Sequence, residues 1–236
     1  MRFDGLRLES LAASLDTLPL EGSLDGHLPR VRLSPSILEV DGGGSIRLFG
    51  GEVILRDISG RDILSPFPRL VLSADFSGID LGQVTRRFDV GEMTGILEGS
   101  LDDCVLFRGV PVSFRSRLTT VERKGVTQTV DIKAVKNITI LGTGQGAASF
   151  FDRGLQRFLQ RYRYARLGVD VELADDVLLL RGLERRGDTE LFLRGRFPFG
   201  IDVVNARPGQ TVSFQTMVKR LESLDFGGIT TSSDPP

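Results

Sequence analysis

Residues 166–173 read RLGVDVEL, where the apolar side chains of Leu167, Val169, Val171 and Leu173 alternate with charged residues and glycine. Successive side chains of a β-strand point to opposite faces, so this period of two indicates a strand with one apolar and one polar face. Antiparallel sheets with one covered and one solvated side show the same pattern. RLGVDVEL therefore predicts an antiparallel strand.

The same alternation recurs along most of the chain. It is found at residues 46–48, 53–56, 70–72, 112–115, 130–134 and 191–194. Turn-forming residues separate these segments, at 42–44, 50–51, 123–125, 175–176 and 186–188. Short links of this kind join antiparallel neighbours. We therefore expect a mainly β fold, with one long antiparallel sheet in a single domain over residues 1–225.

Two segments near the C-terminus instead have helical periodicity, and we expect both to form amphipathic helices. The first starts at Ser149, and its apolar stripe consists of Phe151, Leu155, Phe158, Leu159 and Tyr162. Its second stripe consists of Arg153, Arg157 and Arg161, which either face water or contact anionic lipid headgroups. The second helix is expected from Ser213, with apolar residues at 214, 217, 218, 221 and 224. A shorter helix is expected over Asp80–Phe88.

The domain has further expected subdivisions. Residues 20–26 read LEGSLDG and residues 97–103 read LEGSLDD, so repeated β units are expected to start near residues 20 and 97. The two helices flank a hairpin, and together they are expected to form a helix–hairpin–helix cap over residues 147–225. Residues 226–236, which end in SSDPP, are expected to be a disordered tail.

Composition argues against several classes of function. The chain has 236 residues, with 30 Lys and Arg against 31 Asp and Glu, whereas a general nucleic-acid-binding protein would have a strong basic excess. The single Cys104 and the single His27 cannot form an internal disulfide or a Cys/His metal cluster. A metal site of Asp and Glu alone remains open, but no calcium-loop spacing is present. We expect a protein without enzyme activity, metal or cofactor.

The glycine cluster in ITILGTGQGAASFF, residues 138–151, raises the question of dinucleotide binding. Gly142–Ala147 fits G-x-G-x-x-[GA], which needs a second βα unit and an acidic residue about 20 positions on, at the end of the next strand. Here Asp170 and Glu172 lie inside the next strand, and no second βα unit follows. A backbone turn from sheet into helix is the favoured reading, and no dinucleotide is expected.

The chain also shows no membrane span or signal peptide. No stretch approaches the roughly 20 apolar residues of a transmembrane helix. The first residues, MRFDGLRLES, lack a signal peptide's apolar region and read as the middle of a strand. We expect either that the natural start has been lost or that this chain is a downstream part of a longer protein.

Several glycine-punctuated segments resemble the repeating elements of AsmA-like bacterial envelope proteins, in their C-terminal portion. The segments are Gly44–Leu55, Phe76–Gln83, Glu92–Asp103, Arg196–Asn205 and Val212–Arg220. The resemblance implies a curved, taco-like β-groove with an apolar interior. It also implies a place in the periplasm, or anchorage in the inner membrane by an N-terminal helix that this chain lacks. Finally, it implies a role in moving phospholipid towards the outer membrane or in its lipid homeostasis.

The alternating strands agree with that expectation, because a continuous apolar face must be covered by helices, by another sheet or by an apolar ligand. A long acyl chain would gain roughly 10 kcal/mol, at about 0.8 kcal/mol per buried methylene. The candidate groove residues are Leu48, Val53, Leu72, Phe114, Ile132, Leu167, Val169 and Val171.

We therefore expect a segment that binds or conducts phospholipid acyl chains between membranes. Its further partners would be inner- or outer-membrane proteins, or the missing N-terminal part of the same chain. The alternative is a structural or assembly scaffold of the cell envelope, whose apolar face docks another chain and carries no lipid.

Overall fold

The computed structural model describes residues 2–7, 23–34, 36–135, 137, 161–187, 189–197, 200, 202–205 and 208–223. The fold is mainly β, and its strands form one large antiparallel sheet, as expected from the alternation.

The strands and helices are short to medium in length. The strands are β1 (Arg2–Arg7), β2 (Ser23–Leu33), β3 (Ile37–Leu48), β4 (Gly51–Arg61), β5 (Arg69–Asp80), β6 (Met93–Thr94), β7 (Ile96–Phe107), β8 (Val110–Val121), β9 (Thr129–Asp131), β10 (Arg161–Ala174), β11 (Val177–Gly182), β12 (Glu184–Arg186), β13 (Thr189–Gly195), β14 (Val203–Asn205) and β15 (Thr211–Ser213). The helices are α1 (Leu81–Arg87) and α2 (Phe214–Ser223), and residues 132–135 are also helical.

Strand β10 belongs to two groups of strands. The main sheet has the order β1-β2-β3-β4-β5-β7-β8-β10-β11-β15. The second half of β10 pairs with β8 and β11 inside this sheet, whereas its first half pairs with β9 and β13. The shorter strands β6, β9, β12, β13 and β14 thereby attach to the main sheet through β10.

The strands beside the first half of β10 enclose a packed apolar core, which we call the end core. Its buried members are Leu81, Met93, Val130, Ala134, Val135, Tyr162, Tyr164, Phe192, Leu193 and Val203. Tyr164 is fully buried, and its hydroxyl donates to the Thr94 carbonyl over 2.8 Å. The end core therefore joins α1, β6, β9, β10, β13 and β14 into one unit.

Helices α1 and α2 each begin with a side-chain cap, and each matches an expected helix. Asp80 accepts hydrogen bonds from the Gly82 and Gln83 amides at the start of α1. Helix α2 begins directly after Ser213, whose hydroxyl accepts from the Thr216 amide over 3.1 Å. Asp176, in the turn after β10, accepts from the Gln215 amide over 2.8 Å and so ties α2 to the sheet.

Three local expectations are wrong, each for a physical reason. Residues 42–44 are not a turn but lie within β3, where a side chain at Gly43 would collide with the Leu55 carbonyl oxygen of β4. The strand expected over 130–134 ends at Asp131, whose carboxylate accepts from the Ala134 amide and caps a helical turn. Arg161 and Tyr162 are not helical but open β10, paired with Asp131 and Val130 of β9.

The remaining expectations concern segments that the structure describes only in part. The second copy of the repeat lies in β7, and residues 23–26 of the first copy lie in β2. The expected helix from residue 149 to 160, the glycine cluster at 142–147 and the tail at 226–236 lie outside the described residues.

The two tyrosines of the end core should respond differently to loss of the hydroxyl. Tyr164→Phe removes the hydrogen bond to the Thr94 carbonyl and should lower the free energy of unfolding by about 1–2 kcal/mol. Tyr162→Phe is the matched control, because the Tyr162 hydroxyl is buried without a hydrogen-bond partner among the described residues and its removal should be neutral or stabilising. Urea unfolding of both variants measures the difference, and equal losses would contradict this description of the core.

Asp176 should hold the start of α2 only while it is ionised. Its hydrogen bonds from the Gln215 amide and the Ser213 hydroxyl lower the pKa of its carboxyl below the ordinary 3.8. The stabilisation is therefore complete above pH 3.8 and is lost as pH falls through the lowered pKa. The Gln215 amide resonance should titrate with a midpoint below 3.8 and stop titrating in Asp176→Asn. A midpoint at or above the ordinary value would refute the assignment.

Candidate functional site

Cross-strand pairing places apolar side chains of the main sheet on one face. One row of paired residues from β4 to β10 consists of Val53, Phe76, Gly99, Leu118 and Val169. The next row, from β4 to β11, consists of Leu55, Ala74, Leu101, Ser116, Val171 and Leu180. Directly paired residues project to the same side of a sheet, so these two rows define one surface, which we call the apolar face.

The apolar face is packed at some positions and half-exposed at others. Val53 and Ala74 are buried and cluster with Ile79, and Val84 of α1 packs against this cluster. Side chains further along the rows, such as Leu118 and Val171, stay half-buried. The described part of the chain therefore leaves a stretch of the apolar face with room for another apolar group.

The opposite face of the same strands carries charges of alternating sign, and we call it the charged face. Arg56 of β4 donates to Asp75 of β5 through Nη2 over 3.0 Å and lies 3.6 Å from Asp102 of β7. Arg115 of β8 pairs with Asp103. These ion pairs bridge neighbouring strands across the sheet.

The charged face continues over β8, β10 and β11. The Arg117 guanidinium donates to both carboxylate oxygens of Asp170, over 2.7 and 2.9 Å. This bidentate hydrogen bonding raises the pKa of Arg117. Arg181 of β11 lies 3.6 Å from Glu172. The two faces of the main sheet thus differ sharply in chemistry, and only one of them suits an apolar ligand.

The expected groove residues divide into two groups. Leu48, Val53, Leu72, Phe114 and Val171 lie in β3, β4, β5, β8 and β10, on the apolar face. The other three, Ile132, Leu167 and Val169, pack against the end core.

The position of the second group changes what its members can do. Ile132 is not a sheet residue, because it lies in the helical turn after β9. Leu167 and Val169 occupy the part of the apolar face that the end core already covers. A ligand on the half-exposed stretch would therefore meet Leu72, Phe114 and Val171 of the first group.

The expected residues of the basic helix are described only at its end. Phe151, Arg153, Leu155, Arg157 and Phe158 lie outside the described residues. Arg161 is exposed and forms an ion pair with Glu92, and Tyr162 belongs to the end core. Burial, aided by the charge of Asp131, raises the pKa of the Tyr162 hydroxyl. These two side chains are therefore strand residues rather than a helix surface.

Sequence reasoning missed other members of the apolar face. Leu55, Phe76, Leu101 and Leu118 lie in its two rows but were not among the expected groove residues. Every second residue of a strand lies on the same face, so extending the alternation from Leu72 through Ala74 would have identified Phe76. Ser73 and Ala74 obscure that alternation, because their small side chains do not distinguish the apolar face from the polar face.

Two further features of the described residues concern metal-ligating and nucleophilic side chains. No group of three or more His, Cys, Asp or Glu side chains within them could hold a metal ion. Cys104 is buried, and burial raises the pKa of its thiol, which opposes formation of a nucleophilic thiolate.

Neither the described helices nor three comparisons with known proteins assign a role to this site. None of the described helices is long and apolar enough to cross a membrane. Protein families, characterised proteins and solved structures provide no match to the chain.

The Arg117–Asp170 pair should contribute a small, salt-sensitive coupling between β8 and β10. A double-mutant cycle of Arg117→Ala and Asp170→Ala should give a coupling free energy of about 0.2–1 kcal/mol, as for other exposed pairs. The coupling should shrink in molar salt, which screens exposed charges. Urea unfolding of the four proteins measures it, and strictly additive losses at low salt would show that the pair does not link the strands.

Proposed function

We propose that the apolar face binds the acyl chains of phospholipids, in a protein of the bacterial cell envelope that holds or conducts lipid between membranes. The observation that carries the proposal is the contrast between the faces of one sheet. The apolar rows contain half-exposed side chains such as Leu118 and Val171, while ion pairs such as Arg117–Asp170 occupy the opposite side. An exposed apolar surface of this kind is expected to have an occupant.

The dimensions of the rows support an acyl chain as that occupant. The second row crosses six strands, from β4 to β11. With about 4.8 Å between strands, it is roughly 25 Å long. One leaflet of a bilayer has an apolar depth of about 15 Å, which is half of the whole core. The length of the row is therefore sufficient for an acyl chain.

Transport along such a face would need no catalytic residue. Apolar side chains recur on most strands of the two rows, interrupted only by Gly99 and Ser116, so an acyl chain would meet similar contacts at most positions. Each buried methylene contributes about 0.8 kcal/mol wherever it lies. Similar affinity at successive positions favours sliding over tight retention.

We further propose that the sheet curves around the apolar face and forms a trough, as the resemblance to AsmA-like proteins implies. Asp57 of β4 and Asp103 of β7 have positive φ angles of 54° and 52°, at positions where the strand register shifts. Bulges of this kind bend a strand and increase its twist. The amphipathic helix expected from Ser149 and α2 would cap the trough, and the protein would act in the periplasm.

Charged substitutions on the apolar face should remove lipid from the folded protein. Leu72→Asp and Phe114→Asp should each lower the occupancy of co-purified phospholipid about tenfold or more, because each removes apolar contact area and adds a charge. Ile54→Asp is the matched control, since Ile54 is exposed on the charged face, where it pairs with Asp75. Native mass spectrometry of the protein from a bacterial envelope, followed by lipid extraction, measures the occupancy.

The same experiment separates a lipid carrier from a scaffold. Loss of lipid in Leu72→Asp and Phe114→Asp, but not in Ile54→Asp, would support the carrier. Wild-type protein that is free of lipid and bound to another chain would support the scaffold and end the proposal. Far-UV circular dichroism and the urea midpoint of each variant establish that the fold survives.

A further inference from the structure

One end of the main sheet concentrates exposed apolar side chains. The loop after β4, the turn after β7 and the turn after β10 share this end, because Arg69 pairs with Phe107 and Ala174 pairs with Ser113. We call it the turn edge. Its exposed apolar residues are Ile37, Leu64, Phe67, Phe107, Val110 and Val177, six of the nine large apolar side chains that are exposed among the described residues. Such clustering marks a contact surface.

The aromatic pair of the turn edge is held in a defined position. The rings of Phe67 and Phe107 stack with centroids 6.4 Å apart and an interplanar angle of 10°. The Arg108 guanidinium lies 5.9 Å from the centre of the Phe67 ring. The Arg108 amide also donates to the Pro68 carbonyl over 2.9 Å, which fastens the loop to the neighbouring turn. Phe67 is nevertheless 59% exposed, so this ordered apolar surface faces outward.

Two arginines stand side by side at the same edge. Arg61 of β4 and Arg69 of β5 are direct cross-strand partners, an arrangement that is unfavourable for like charges. Neither they nor Arg108 have a carboxylate partner among the described residues, whereas Arg56 and Arg117 of the charged face do. The guanidinium groups of Arg61, Arg69 and Arg108 are therefore free of ion pairs within the described chain, although Asp62, Asp175 and Asp176 lie at the same edge.

The two arginines also border a cleft. It has a volume of about 620 Å³ and is lined by Ile37, Ser59, Arg61, Arg69 and Val71, among others. Glu39 also lines the cleft, but its carboxylate pairs with Arg32 over 3.4 Å. Guanidinium groups match the geometry of phosphate oxygens. The cleft is thus suited to a phosphate group flanked by apolar atoms.

We propose that the turn edge docks on the surface of an anionic phospholipid bilayer. Arg61 and Arg69 contact headgroup phosphates, and Leu64 and Phe67 enter the interface between headgroups and acyl chains. A free phosphate would contact the two arginines but would make no contact that requires the exposed ring of Phe67. Membrane surfaces satisfy both, because basic side chains are attracted to anionic lipid and aromatic rings are favoured at headgroup level.

Docking would place the apolar face beside the membrane. Leu70 and Leu106 are cross-strand partners at the turn-edge end of β5 and β7, next to Arg69 and Phe107. A lipid that leaves the bilayer at this edge would reach those strands first. The docking site adds a membrane partner to the proposed function, but vesicle binding can be measured whether or not the apolar face holds lipid.

Vesicle binding by the full chain tests the proposal. Wild-type protein should float with vesicles of equal parts phosphatidylcholine and phosphatidylglycerol, and much less with phosphatidylcholine alone. Arg61→Gln/Arg69→Gln should weaken binding roughly 20- to 30-fold, at about fivefold for each arginine near an anionic surface. Phe67→Ser should weaken binding to the same vesicles through loss of the apolar tip.

The matched control removes the same charge from the other end of the strands. Arg123 and Lys124 are exposed in the link after β8, so Arg123→Gln/Lys124→Gln should bind vesicles as wild type does. Equal binding by wild type and Arg61→Gln/Arg69→Gln would overturn the proposal. Binding of inorganic phosphate without binding of vesicles would assign the cleft to free phosphate and overturn it too. If wild-type protein does not bind vesicles but Phe114→Asp loses co-purified lipid, docking is refuted and the acyl-chain site is still supported.

Discussion

Backbone pairing on both sides of β10 joins the two parts of this fold. The first half of the strand faces the end core through β9 and β13, and the second half continues the main sheet between β8 and β11. A single alternating pattern of side chains along β10 must therefore fit both the end core and the apolar face. Tyr162 and Tyr164 fill a closed core, and Val171 and Leu173 extend the apolar face. A slip of one residue would reverse both assignments, so β10 sets the register of its neighbours on each side.

The charged face supports that register more than it supports stability. Exposed ion pairs such as Arg117–Asp170 contribute little individually. They gain importance as a set, because a shifted strand would bring like charges together or turn them towards the apolar rows. The apolar face has the opposite character, since its half-exposed residues forgo part of the free energy that complete burial would give. An apolar ligand would recover that free energy, which connects the energetics of the sheet with the proposed lipid binding.

The sequence was sufficient for most of the alternating strands and for the positions of α1 and α2, because those patterns are local, but the alternation over 130–134 predicted a strand that ends at Asp131. Prediction from the sequence failed where the same residue is compatible with two kinds of secondary structure. Glycines at 42–44 resemble a turn, yet Gly43 allows the Leu55 carbonyl to approach within a sheet. Tyr162 is compatible with a helical stripe that includes the preceding residues and also with a strand that includes Tyr164. Its pairing with β9 shows that it lies in the strand. The end core and the turn edge arise from residues far apart in the chain, so only the three-dimensional arrangement reveals them.

The arrangement of hairpins also has a consequence for how the chain folds. From β2 to β5 each strand pairs with the next along the chain, so these contacts close short loops and can form early. The pairing of β8 with β10 joins Leu118 to Val169 and must close a much longer segment. Until β10 arrives, β8 presents an open edge that could pair with another molecule. We therefore expect the arrival of β10 to be the slow and aggregation-sensitive step of folding, because its timing would govern how long the nascent sheet stays exposed.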